Sequence, residues 1–359
     1  MLIRIAVTGA AILAVNNGCV TTRVSLPIAS REGTVDSLFA AYSVAGAPGA
    51  GVLVIDHGRV VISRSYGLAN LATRTPATDR TNYRLASLSK QFTATAVLIL
   101  VREGKLGLDE PIGAILPGVP AHSRGATIRQ LLTHTAGVWD YEDFVPDSQT
   151  TQVHDADVPR LIASADSLYF PGGSAWRYSN TGYALLALAV ERRAGMEYAR
   201  FLRERIFLPA GMAATVAYEK GVSEVSNRAL GYQPRDDRFV ERDQSSTSAV
   251  LGDGGIYSSL HDLAKWDALL DAHALLGDAL QRLAWTPQRL TGGGTTRYGF
   301  GWFVDTDSLG LKLSHHGETS GFTNFIIKRP DRRLTVIVLT NRAGGAPWDI
   351  AEAVARLYR

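Results

Sequence analysis

Two runs of β-branched and aliphatic residues, Val52-Leu53-Val54-Ile55 and Val60-Val61-Ile62, flank the polar tetrapeptide Asp56-His57-Gly58-Arg59. That spacing predicts a β-hairpin. The C-terminal end carries the same signal more strongly. Residues 298–304 are rich in aromatics, and 322–328 and 334–340 predict two strands joined by a polar turn at Pro330-Asp331-Arg332. Residues 349–358 then predict an amphipathic helix, apolar at Ile350, Val354 and Leu357. Between these ends, from about Ser87 to His273, the period is mostly helical. Leu88, Phe92, Ala96 and Leu100 recur every four residues until Gly104 supplies a C-terminal stop. Strands at both termini around a helical middle predict an α+β chain. Its sheet domain is discontinuous, 30–86 with 290–359, and is interrupted by a mostly helical insertion over 87–289.

The first stretch stands apart from this pattern. Met1 to Arg4 carries one positive charge, residues 5–15 form an apolar run, and Asn16-Asn17-Gly18-Cys19 follows. This is the layout of a bacterial signal peptide over 1–18, too short for a permanent membrane span. Cys19 follows a glycine at the end of the run, as in lipoprotein signals whose cysteine is lipidated after cleavage, although Asn16 stands where such signals usually place Leu. An ordinary secretory signal and an incidental thiol are the competing readings. The expectation is an exported protein of the cell envelope, periplasmic or tethered to the membrane through Cys19.

Composition narrows the classes. With 46% hydrophobic and 20% charged residues over 359 positions, the chain has the make-up of a globular enzyme. One cysteine excludes a disulfide framework, a cysteine-ligated zinc site and a CxxC redox pair. The formal charge is +3, and the lysines are only Lys90, Lys105, Lys220, Lys265, Lys312 and Lys328. No lysine-rich block exists, so no nucleic-acid partner is expected.

Three short motifs carry chemistry. Ser87-Leu88-Ser89-Lys90 opens the predicted helix and sets Ser87 and Lys90 three residues apart, on one helical face. A serine hydroxyl is a poor nucleophile until a base takes its proton, and a lysine buried among apolar groups loses enough basicity to serve. Tyr178-Ser179-Asn180 offers a phenol and an amide, a second proton carrier with a polar partner. His315-His316-Gly317 lies before the strand that begins at Phe322, where glycine permits close backbone approach and edge amides can stabilise an oxyanion. Each motif is short enough to occur by chance. The ordered trio, with its first member at a helix start and its last beside a strand, is far more specific.

These motifs, with Arg84-Leu85-Ala86 before the first, Leu131-Leu132-Thr133-His134-Thr135-Ala136-Gly137, Gly254-Gly255-Ile256-Tyr257-Ser258, Tyr298-Gly299-Phe300-Gly301-Trp302 and Glu318 to Phe322, resemble the class C β-lactamase-like serine hydrolases. That superfamily includes penicillin-binding proteins, DD-peptidases, D-aminopeptidases and family VIII carboxylesterases. The resemblance runs from about Thr34 to the end. It implies an antiparallel sheet flanked by helices, with the helical insertion forming the other wall of a cleft. It also implies that Ser87 is the acylated nucleophile and that Lys90 and Tyr178 share its deprotonation and the return of a proton to the leaving group. Asn180 would orient the substrate, and the backbone amides of Ser87 and Glu318 would form the oxyanion hole beside Gly317. The S-x-x-K pattern is a known signature of penicillin-recognising enzymes. No cofactor is implied, and the substrate is a small ester, peptide or β-lactam.

One position departs from the pattern. Class C β-lactamases and DD-carboxypeptidases usually carry Lys at the head of the third motif, where its charge meets a substrate carboxylate. His315, with an ordinary pKa near 6.5, is mostly neutral at pH 7. As a hydrogen-bond donor it would lack about 1 kcal/mol of charge-assisted attraction. This favours esters, or peptides cut from the N-terminal side. A β-lactamase or DD-carboxypeptidase with weak β-lactam turnover, and a regulatory penicillin-binding-like protein with little turnover, are the alternatives. His134 reads as structural, and Trp139, Asp140, Tyr141 and Glu142 as a loop able to line the cleft. HExxH and GxSxG are absent from the sequence, so neither a zincin-type metal site nor an α/β-hydrolase elbow is expected. The adjacent His315 and His316 would point to opposite faces of a strand, and no metal is expected there.

Overall fold

A computed structural model describes residues 28–358; the proposed signal segment and Cys19 lie outside the described residues. Six strands, numbered here in chain order, form one antiparallel sheet: β1 (Ala50–Asp56), β2 (Arg59–Tyr66), β3 (Phe303–Asp307), β4 (Gly310–Thr319), β5 (Phe322–Arg329) and β6 (Leu334–Thr340). Their spatial order is β3-β4-β5-β6-β1-β2, so strands from the two ends of the sequence meet where β6 pairs with β1.

The unbroken apolar runs of β1 and β6 follow from burial on both faces. Val52 and Val54 of β1 and Val336 and Val338 of β6 face one core, with Val35, Ala351 and Val354 from helices α1 (Ile28–Leu38) and α5 (Pro347–Arg356). Leu53, Ile55, Ile337 and Leu339 face the other, against the middle of the chain. Each such side chain contributes about 1.5–3 kcal/mol when fully buried. That is why neither strand alternates polar with apolar.

The helix expected after Ser87 is present as α2 (Lys90–Arg102), but it is buried all round. Every residue from Lys90 to Leu100 is buried, not only one stripe. A helix of that kind belongs at the centre of a protein, and α2 is packed by α3 (Asn180–Ala194) and by the region around α4 (Leu260–Asp271). The middle of the chain is less purely helical than its period predicts. Tyr83–Arg84, Ile256–Ser258 and Val216–Ala217 form a small sheet, and Tyr232–Arg235 pairs with Arg238–Glu241. These strands are two to four residues long, too short for a period of two to register.

A second difference concerns the third motif. His315 is not in a loop before a strand: it lies inside the ten-residue β4, paired with Ile326. Strand β3 pairs with β4 only as far as Ser314, so from His315 onward β4 has an edge that β3 does not cover.

One buried side chain ties the sheet to the first motif. Asn324 of β5 donates from Nδ2 to the Arg84 carbonyl at 2.8 Å and accepts from the Thr340 amide at 3.1 Å through Oδ1. Asn324→Ala leaves two buried backbone groups unpaired, at about 1–3 kcal/mol for each. Urea denaturation is expected to show a loss in that range with an unchanged m-value; a stability equal to wild type would contradict the tie.

Candidate active site

The residue before Ser87 is held in an unusual conformation. Ala86 has φ +51°, a region a Cβ-bearing residue rarely adopts, and such local strain concentrates at functional positions. The 3₁₀ turn Ala86–Ser89 follows and runs directly into α2. Ser87 is therefore among the first amides of a helical segment, whose N–H groups lack intrahelical partners. Ser89 serves the fold, its hydroxyl accepting from the Ile256 amide at 3.2 Å.

Lys90 is fully buried. Its Nζ donates to Ser87 Oγ at 3.0 Å, Asn180 Oδ1 at 2.8 Å and the Asp253 carbonyl at 2.9 Å. Three acceptors use all three ammonium hydrogens. Two of these partners can only accept, whereas the serine hydroxyl can also donate. When Lys90 loses a proton, its two remaining hydrogens stay on Asn180 and Asp253, and the lone pair is left facing Ser87. Burial lowers the Lys90 pKa to about 8, against the opposing pull of Asp253, Asp140 and Glu142.

Tyr178 and Asn180 meet this lysine from the start of α3. The Tyr178 ring centroid is 4.9 Å from Lys90 Nζ. Its hydroxyl is buried and completes no hydrogen bond, although Ser87 lies close enough to ease the phenol's ionisation slightly. Burial dominates and pushes the phenol far above its ordinary value, so it stays protonated. The start of α3 is capped by Asp140, whose carboxylate accepts from the Asn180 amide at 2.8 Å, a favourable charge at a helix N-terminus. His134 is buried, and its Nδ1 accepts from the Ser179 amide at 3.2 Å. Its ring packs 4.2 Å from that of Tyr178 and 4.6 Å from that of Tyr298.

The third motif brings a correction. His315 is fully buried, and both ring nitrogens are engaged inside the protein. Nδ1 is 2.6 Å from the His316 carbonyl, which can only accept, so Nδ1 carries the hydrogen. Nε2 is then the lone-pair nitrogen, and it accepts from the Tyr298 hydroxyl at 2.8 Å. Burial and the charge of Lys90 lower its pKa well below the usual value. The expectation that His315 offers substrate a donor therefore does not fit: no nitrogen is left to offer. At Gly317 the close approach is to the protein's own backbone and not to a ligand: a Cβ there would lie 2.1 Å from the Leu85 carbonyl. This contact sets β4 against the turn that carries Ser87, with Glu318 next along the strand.

Carboxylates surround the lysine. Asp253 is buried, its Oδ2 accepts from Tyr141 at 2.9 Å, and burial raises its pKa. Glu142 is a surface residue whose carboxyl group faces the Asn180 side chain and the Thr247 hydroxyl; partial burial of that group and the nearby Asp140 raise its pKa, against the pull of Lys90 and these two hydrogen bonds. Among the expected residues, Ser87, Lys90, Tyr178 and Asn180 are thus brought together, with Gly317 holding Glu318 near them. Sequence reasoning missed Asp253 and the part played by Tyr298. The Leu251–Gly254 turn lies beside the quoted Gly254-Gly255 motif, and Tyr298 opens the aromatic motif, so both were adjacent to visible signals. Among the described residues no group of three or more side chains is arranged to hold a metal ion.

The β-lactamase family profile matches residues 35–358. Penicillin-binding protein 4* of Bacillus subtilis is 35% identical over 315 residues, covering 84% of this chain and 69% of its own length. The D-aminopeptidase of Brucella anthropi is 29% identical over 83% of this chain, which spans only 57% of that protein. The octameric penicillin-binding protein homologue from Pyrococcus abyssi superposes with a TM-score of 0.77 at 26% identity, covering 92% of this chain and 77% of that one. The chain belongs to the β-lactamase family of serine hydrolases, and its α+β fold is that of the penicillin-binding protein homologues.

Gly317→Ala forces a methyl group into the Leu85 carbonyl. Overpacking of this kind costs about 1–3 kcal/mol, and it also drives β4 away from Ser87. We expect a lowered thermal midpoint together with a larger loss of hydrolase turnover than that midpoint explains. A variant with wild-type midpoint and turnover would show that the close approach is not needed.

Proposed function

We propose that this member of the β-lactamase family hydrolyses small amides, peptides or esters that present a free α-ammonium, through an acyl-enzyme on Ser87. The observation that carries this reading is the charge of the cleft. No cation stands free at position 315 to meet a substrate carboxylate, while the carboxyl group of Glu142, on a residue at the surface, sits beside Asn180. Asp140 and Asp253 add to the same field around Lys90. A substrate ammonium is attracted there and a carboxylate repelled. The name D-aminopeptidase, carried by a relative, supports D-amino-acid derivatives as the class.

The proton inventory divides two roles that the motifs leave shared. Lys90, near 8, is the base, and Tyr178, protonated throughout the accessible range, is the acid. Groups pushed in opposite senses by their surroundings are how one site runs both halves of an acid–base reaction. Neutral Lys90 takes the proton of Ser87 as Oγ attacks the carbonyl. The oxyanion settles on the amides of Ser87 and Glu318, and Tyr178 protonates the departing amine or alcohol. The tyrosinate recovers a proton from Lys90, and water then cleaves the ester by the reverse path.

Residues 1–18 support export, with Cys19 as the point of lipid attachment, so the same hydrolysis would take place in the cell envelope.

A panel of D-alanine and D-phenylalanine amides, their L-isomers, their N-acetyl derivatives and nitrocefin tests the substrate class. N-acetylation is expected to lower kcat/KM at least tenfold, with Glu142→Gln erasing most of that difference. Preference for nitrocefin would overturn the reading. Ser87→Ala is expected to lower kcat by about 10³-fold or more, and unchanged turnover would remove the nucleophile assignment. With p-nitrophenyl acetate, which does not titrate, kcat/KM is expected to rise about tenfold per pH unit below 7 and to level off above about 8, as Lys90 becomes neutral. A flat profile would exclude Lys90 as the base.

A further inference from the structure

Beside the catalytic groups, a basin of about 590 Å³ is walled by Trp176, Phe303, His316 and Phe325. Trp176 is 38% exposed, unusual for so large an apolar side chain. The ring of Phe303 lies 6.4 Å from Trp176 and stacks on His316 at 5.6 Å, with 22° between the planes. The lining carries no unpaired charge. Arg297 donates to Asp305 at 2.6 Å at the rim, and burial together with the charge of Lys90 lowers the His316 pKa below its ordinary value, leaving it neutral.

Its position relative to the reacting groups is fixed by the chain. Trp176 precedes Tyr178 by two residues, and His316 precedes Glu318 by two on β4. Trp176, Tyr178 and Phe303 all pack on Tyr298. Through Tyr298 the basin thus adjoins the aromatic packing that includes Tyr178, whereas Glu142 lies beside the Asn180 side chain.

We infer that this basin receives the leaving group of the substrate and selects an uncharged aromatic or bulky apolar amine or alcohol. The inference rests on the reading above, in which Tyr178 protonates the departing atom while the ammonium-bearing acyl part lies toward Glu142. The leaving group then departs past Trp176 and His316. Ring surfaces at these spacings suit stacked or edge-on aromatic packing, and the neutral lining disfavours a charged group.

Methyl and benzyl esters of D-alanine test it, because the acyl part is common and the two alcohols are of nearly equal acidity. The wild-type benzyl-to-methyl ratio of kcat/KM is expected to be at least ten. Trp176→Ala and Phe303→Ala are expected to lower that ratio at least fivefold, mainly through KM, with Trp176→Phe recovering most of it. A wild-type ratio near one, or a ratio untouched by Trp176→Ala in a folded variant, overturns the inference. Binding of benzyl alcohol to Ser87→Ala, followed by tryptophan fluorescence, reads the basin without turnover. Saturable binding that is lost in Ser87→Ala/Trp176→Ala upholds the basin, and no binding overturns it. Failure of the catalytic reading appears separately, as full turnover by Ser87→Ala.

Discussion

A single amine, shut away from water and held by three oxygen atoms, sets the terms for everything around it. A charged lysine in such a place is expensive unless its hydrogens are all used, and Ser87, Asn180 and Asp253 use them. The three come from separate parts of the sequence. Ser87 and Lys90 lie at the start of α2, Asn180 at the start of α3 and Asp253 in the short turn Leu251–Gly254. The packing of these pieces is therefore inseparable from the amine's environment. Burial of α2 on every side excludes water, and the acidic groups near the amine limit how far that burial lowers its affinity for a proton.

The sheet makes the other half of the site by a backbone contact instead of a side chain. Gly317 lets β4 lie against the Leu85 carbonyl, and Asn324 fixes β5 to the neighbouring Arg84. Strand and turn are thereby locked at the point where the proposed oxyanion donors must converge. Strain at Ala86 is tolerable in that setting because the turn is held from both sides. The stiffness of the sheet, buried on both faces along β1 and β6, is what holds a polar edge in place.

Much of this was legible in the sequence where residue type and spacing act locally. The three-residue interval of Ser87 and Lys90 is helical geometry, and the hydrophobic runs of β1 and β6 are long enough to read as strands. Strand β4 was not legible in that way. Lys312, Ser314, His315, His316 and Glu318 interrupt its apolar positions, and because polar residues stand at buried as well as exposed places along it, no hydrophobic period of two is visible. The state of His315 was hidden for a different reason. Its type sets an ordinary pKa, but its tautomer is decided by the His316 carbonyl and by Tyr298, seventeen positions away in sequence. Glu142 was visible as a loop residue, yet its closeness to Asn180 depends on how that loop folds over the start of α3.

The pairing of His315 with Tyr298 also bears on why a lysine at this position would not be a simple exchange. A second ammonium would be buried within the influence of the Lys90 charge, which already helps to hold His315 neutral. The Tyr298 hydroxyl, now donating to Nε2, would have to turn and accept. Each cation would lower the other's affinity for a proton, so the amine that faces Ser87 would itself change. A neutral imidazole avoids that coupling: it fills the place at the head of the motif, anchors Tyr298 within the aromatic packing that also includes Tyr178, and adds no second cation beside Lys90. The identity of residue 315 thus acts on the basicity of Lys90 as well as on what the cleft attracts, and the two effects cannot be separated by changing that residue alone.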